Sequence, residues 1–177
     1  MCGISGIVNL KTNNIDLKEQ VLNMISALHH RGPDSNSCWI NKDNNVCLGS
    51  NRLAIMDLSD NGTMPFISND NRFIISFNGE IYNFREIRNQ LINKGYKFKS
   101  KSDTEIIIAG MYYWEFEHLL NKLEGMFAFV IYDNLYNLLY GARDRLGEKP
   151  FFYQFNDKNF VFASEIKSIK KTSIFES

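Results

Sequence analysis

Cys2, directly behind Met1 in this 177-residue sequence, is the residue whose placement most readily supports chemistry. Removal of Met1 would leave it with a free α-amine beside its own thiol. Such an amine titrates at about 7.7–8.0, so a useful fraction is unprotonated at neutral pH. It can then serve as general base, directly or through a water, for the nucleophile on the same residue. Cys2 is small and Gly3 follows, so an aminopeptidase meets little obstruction. Many chains begin Met-Cys without consequence, and Cys2 alone decides nothing. The other two cysteines, Cys38 and Cys47, form no CxxC pair, and the total is odd. Neither a disulfide framework nor a zinc ribbon follows, and both read as half-buried strand hydrophobes. His29, His30 and His118 have no metal-site spacing. The first two fall at an expected helix end, where imidazole suits the helix dipole, and all three read as structural. No GxGxxG, Walker loop, HExxH or GxSxG occurs.

The elements that must carry Cys2 read as follows. Ile4, Gly6, Val8 and Leu10 alternate, predicting a strand. Asp16 and Glu19 open a helix with Leu17, Val21, Ile25 and Leu28 on one face. Strands are expected at 37–41 and 46–55, and at 72–77, ending on Asn78-Gly79. Asn83 caps a helix that Gly95 ends. Ser102-Asp103-Thr104-Glu105 reads as a capping box for a helix over 106–111, and a further helix spans about 115–123. Strands at 125–132, 138–143, 151–155 and 160–163 and a short helix at 165–170 complete the chain. Hairpins dominate and several strands are apolar on both faces. The class is therefore α+β, with two mainly antiparallel sheets stacked between helical layers, in one domain over 1–177.

Hydrophobic residues make up 44% and charged residues 23%, ordinary for a globular protein. With Lys+Arg and Asp+Glu both at 20, nothing favours nucleic acid or an anionic membrane. The start lacks a signal peptide's basic region. The longest apolar run, 126–132, is far short of the ~20 residues that span a bilayer. A cytoplasmic location is expected.

A series of short motifs then changes the weight of Cys2. Met1-Cys2-Gly3-Ile4-Ser5-Gly6, His30-Arg31-Gly32-Pro33-Asp34, Arg52-Leu53-Ala54-Ile55-Met56-Asp57-Leu58, Phe77-Asn78-Gly79-Glu80-Ile81-Tyr82-Asn83, Ser102-Asp103-Thr104-Glu105, Gly125-Met126-Phe127-Ala128-Phe129, Arg143-Asp144-Arg145-Leu146-Gly147 and Ala163-Ser164-Glu165 follow one another along nearly the whole chain. In this order they resemble the class II glutamine amidotransferases, N-terminal-nucleophile hydrolases, and within them the glutaminase half of glutamine-hydrolysing asparagine synthetase. The resemblance implies a four-layer αββα sandwich. It implies Cys2 as nucleophile, Asn78 and Gly79 as the oxyanion hole, and a glutamine site of Arg52, Leu53, Ile55, Met56, Asn78, Gly79, Glu80 and Asp103.

The residue types suit those parts. Arg52 can grip an α-carboxylate with two N–H groups; its plainer reading is a surface cation after a strand. Asp103 can accept an α-ammonium, or simply sit in a helix's first turn. Asn78 and Gly79 can donate N–H groups to a developing oxyanion, or form a type I′ turn. The pattern departs from the family at Met64, where Gln is usual, in a loop expected to lie away from the chemistry. His30–Asp34 and 143–150 are expected to be structural or interface segments.

The resemblance further implies that L-glutamine is the substrate and that the glutaminase reaction needs no metal or other cofactor. ATP and magnesium would serve only a following synthetase domain or subunit. Its Ser-Gly-Gly-x-Asp-Ser pyrophosphate loop does not occur in these 177 residues. Asparagine synthesis from aspartate is the expected use of the ammonia. The alternatives are another acceptor, such as a surface-polysaccharide sugar acid, or a catalytically idle interaction module. A homodimer is possible.

Overall fold

The computed structural model describes residues 1–11, 15–53 and 63–175. Two antiparallel sheets form its centre. The first has strand order β2 (Ser35–Ile40), β3 (Val46–Arg52), β1 (Gly3–Asn9), β9 (Asn159–Ala163), β8 (Phe152–Phe155). The second runs β4 (Phe66–Ile67), β5 (Phe73–Ile81), β6 (Gly125–Asp133), β7 (Leu138–Arg143). The helices are α1 (Leu17–Ala27), α2 (Phe84–Asn93), α3 (Thr104–Gly110), α4 (Phe116–Lys122) and α5 (Ile166–Ile169).

The layering follows from strands that are apolar on both faces. Along β1, Ile7 turns outward to Leu17, Val21, Met24 and Ile25 of α1 and Ile169 of α5. Ile4 turns inward, where it meets Leu48 and Phe162 of its own sheet and Ile74, Ala128 and Val130 of the other. Along β5 the odd positions Phe73, Ile75 and Phe77 pack outward with Ile87 and Leu91 of α2, Ile107 of α3 and Leu119 of α4. Residues i and i+2 of a strand share a face, so Ile74, Ser76 and Asn78 look inward toward the first sheet. The result is the expected αββα sandwich.

Local signals account for some helix ends. Asp16 accepts from Lys18 N and Glu19 N at 3.0 and 3.1 Å, capping α1. Gly95, at φ +94°, takes the left-handed backbone that closes α2. Three expectations fail. The strand expected to stop at Asn78-Gly79 continues to Ile81, because β6 pairs with it through Asn78↔Ala128, Gly79↔Phe127 and Ile81↔Gly125. Asn83 makes no cap hydrogen bond; its side chain bridges Lys122 O at 2.8 Å and Glu124 N at 3.1 Å. The capping box over 102–105 is also not formed. Ser102 Oγ accepts from Thr104 N at 3.1 Å, but Glu105 turns upstream to the backbone of Lys99 and Ser100. The two-residue strand β4 and a 3₁₀ turn at His29–Arg31 have no counterpart in the sequence reading.

Candidate active site

Cys2 lies one step before the paired part of β1, whose register opens at Gly3↔Asn51. This sets it beside the end of β3, with Leu53 N 3.4 Å and Leu53 O 3.8 Å from its Sγ. As an even position it shares the inward face of Ile4. Asn78 has the same inward aspect on the second sheet. The two therefore meet at one end of the sandwich, in a cavity of about 180 Å³ also lined by Arg52, Leu53, Gly79, Glu80 and Asp103.

The polar geometry is asymmetric. Asn78 is 1% exposed, and among the described residues its Nδ2 has no hydrogen-bond partner. An unsatisfied buried donor costs roughly 1–3 kcal/mol, so an acceptor brought into the cavity would relieve it. Gly79 presents its backbone. Phe127, opposite it, gives its N–H to Asp144 Oδ2 at 3.2 Å and accepts from Asp144 N at 2.8 Å. Both groups of Phe127 thus point away from β5, and Gly79 N–H points to the other edge. A Cβ at Gly79 would come within 2.4 Å of Met126 O, so only glycine allows β6 this close. β4 pairs only with Ile74 and Ile75, so among the described residues no strand neighbours the edge at 79–81. Asp103 fills part of it, accepting Ile81 N on Oδ2 at 3.0 Å. Burial pushes the Asp103 carboxyl above the ordinary aspartate range, against the pull of the Ile81 N–H.

Seven of the nine expected site residues are therefore brought together: Cys2, Arg52, Leu53, Asn78, Gly79, Glu80 and Asp103. Ile55 and Met56 lie outside the described residues. Two residues expected to stand clear of the chemistry line the cavity instead. Met64 is one; its carbonyl accepts from Ser37 Oγ, which holds the loop against β2. Lys149 is the other, 6% exposed. Its turn is folded by Asp144, which takes Glu148 N at 2.8 Å and Lys149 N at 3.0 Å, and by Arg143, whose Nε donates to Lys149 O at 2.6 Å. An Asp followed by a Gly-containing turn was the available signal for that loop; its approach to Cys2 was not.

Arg31, also expected to be only structural, donates Nε to Cys2 O at 3.0 Å and Nη1 to Glu165 at 3.0 Å. His30 and Lys167 reach the same carboxylate at 2.9 and 3.1 Å. Burial works to raise the Glu165 pKa, but these donors outweigh it and hold it at about 2. Cys38 and Cys47 remain free thiols on neighbouring strands. Among the described residues no group of three or more His, Cys, Asp or Glu is placed to hold a metal ion, and no helix is long and apolar enough to cross a membrane.

Comparison with known proteins gives the family and the fold. The model of the glutamine amidotransferase domain matches residues 1–177. Two glutamine-hydrolysing asparagine synthetases of Bacillus subtilis (strain 168), numbers 3 and 1, are 39% and 41% identical over 171 residues, each match covering 96% of this chain. It spans only 27% and 26% of those relatives, about a quarter of their length. Among solved structures, the B. subtilis glutamine phosphoribosylpyrophosphate amidotransferase complexed with ADP and GMP superposes with a TM-score of 0.80 at 20% identity, over 96% of this chain and 43% of that one. That likeness bears on the fold. With its family model matched from end to end, the chain belongs to the glutamine amidotransferase domain family.

Proposed function

We propose that this domain hydrolyses the side-chain amide of L-glutamine through a thioester on Cys2, and that the ammonia serves an ATP-dependent synthetase domain or subunit making asparagine from aspartate. The observation that carries the reading is Asn78 Nδ2, buried and without a partner among the described residues, in the same cavity as Cys2 Sγ. The α-amine of processed Cys2 takes the thiol proton as sulfur attacks the amide carbon. The carbonyl oxygen becomes an oxyanion, which Asn78 Nδ2 and Gly79 N–H stabilise. The intermediate collapses as the amine returns the proton to nitrogen, and ammonia leaves. Water then attacks the thioester, restoring the thiol and releasing glutamate. Arg52 holds the α-carboxylate and Asp103 the α-ammonium. ATP and magnesium belong to the synthetase part, whose chemistry lies outside these residues.

Binding and chemistry are separable by kinetics. Contacts at the unreactive end of glutamine are similar in ground and transition states, so Arg52→Ala should chiefly raise KM. Asn78 meets charge that exists only during reaction, so Asn78→Ala should lower kcat by roughly 10²–10³-fold. Steady-state glutamate release by the two variants is the test. A normal kcat in Asn78→Ala would remove Asn78 from the oxyanion hole.

Asp103 gives a pH dependence. Its pKa is raised, so on acidification it takes a proton earlier than an exposed aspartate and ceases to attract an ammonium. Glutamine Kd, measured by calorimetry on the non-reacting Cys2→Ala form, should weaken as pH falls through that pKa and hold steady from there up to neutral pH, below the range in which glutamine's own ammonium titrates. Asp103→Asn should bind weakly at every pH and lack this acidic limb. Persistence of the limb in Asp103→Asn would assign it to another group.

A further inference from the structure

Glu105 is a carboxylate with no exposure, in the first turn of α3, and the reaction scheme gives it nothing to do. Its surroundings do. One oxygen accepts Lys99 N at 3.0 Å; the other accepts Ser100 N and Ser100 Oγ, both at 2.7 Å. Ser100 Oγ in turn accepts Ser102 N at 3.2 Å. A helix-capping glutamate would itself take Ser102 N; here Ser100 does so, and Glu105 is released to reach further back. Ser102 Oγ accepts Thr104 N at 3.1 Å and lies 3.5 Å from Asp103 Oδ1. The segment 99–104 is thus folded around one buried carboxylate, and Asp103 sits at its tip, where Ser102, Asp103 and Thr104 line the cavity.

From this relay we propose that Glu105 is a positioning residue for the glutamine α-ammonium. It fixes the backbone that carries Asp103, while Ile81 N fixes one carboxylate oxygen, so that Asp103 presents a set acceptor to the substrate. The inference rests on the proposed glutaminase function. Glu105→Gln keeps the shape but puts an NH₂ group against N–H donors, so at least one contact is lost.

The readout compares glutamine with its deamino analogue, which keeps the carboxylate and amide but lacks the ammonium. Glu105→Gln should raise KM for glutamine about tenfold, the scale of one charge-assisted hydrogen bond, with kcat retained. Its kcat/KM for the deamino analogue should equal that of the parent. Loosening of the whole site would lower kcat/KM for both substrates alike, and that result overturns the proposal, as does an unchanged KM. Should Glu105→Gln fail to fold, Ser100→Ala, which removes only the hydroxyl joining Glu105 to Ser102 N, decides: a rise in KM confined to glutamine supports the relay, and no selective rise overturns it. Asp103→Asn separates the two levels. If it too loses no preference for the ammonium, the assignment of Asp103 is at fault; if it alone does, the part given to Glu105 is.

Discussion

Cys2→Ala should release no detectable glutamate while melting close to the parent. Among the described residues, the thiol's polar contacts are the two backbone groups of Leu53, at 3.4 and 3.8 Å, and sulfur is a weak partner for either. Little stability is lost, so inactivity would report on chemistry alone. The other thiols provide the contrast. Cys47 is fully buried against α1, with Cys38 at the rim of the same cluster. Cys47→Ala should lower the melting temperature, since a side chain removed from a packed interior leaves a void; Cys38→Ala should lower it less. Both should keep their turnover. Glutamate release by Cys2→Ala, or a folded but dead Cys38→Ala, would refute the choice of nucleophile.

The second large effect should come from a single peptide bond. While Met1 is attached, nitrogen 2 is an amide and cannot accept a proton. General base catalysis is worth about 10²–10⁴-fold, and a Met1-retaining sample should fall short by that much or more. Met1 also lines the cavity, so its loss opens the approach to the thiol. Intact mass spectrometry alongside a glutaminase assay follows both. Treatment of a retained form with methionine aminopeptidase should restore turnover in proportion to the mass lost. Full activity with Met1 still in place would rule out the amine as base.

Local signals of high information content were legible from the chain. Asp16 does cap α1, and the alternation in β1 does place Ile4 and Ile7 on opposite faces. Asn78-Gly79 misled because its strongest local preference is a turn, whereas a partner about fifty residues away, β6, holds it extended. No local pattern carries that pairing. Glu105 misled for a related reason: a serine two residues before Ser102 took the donor that defines a capping box. Among the described residues, those that recognisable motifs put forward for the site announced their place in the cavity. Met64 and Lys149 did not, because a cavity is defined by what several distant segments do together, and each of these two looks ordinary among its own neighbours. The two-residue β4 is too short to show any period.

The proposed nucleophile and the proposed oxyanion donor come from different sheets. Cys2 extends β1 of one, Asn78 lies within β5 of the other, and between them stands the apolar layer of Ile4, Leu48, Phe162, Ile74 and Val130. That layer acts as a spacer whose thickness sets the reach from sulfur to amide. Reactivity is sensitive to displacements of about an ångström, and tightly packed interiors transmit such displacements. On the proposed mechanism, side chains that never touch glutamine therefore calibrate the reaction, and drift in their combined volume should detune turnover well before it threatens the fold.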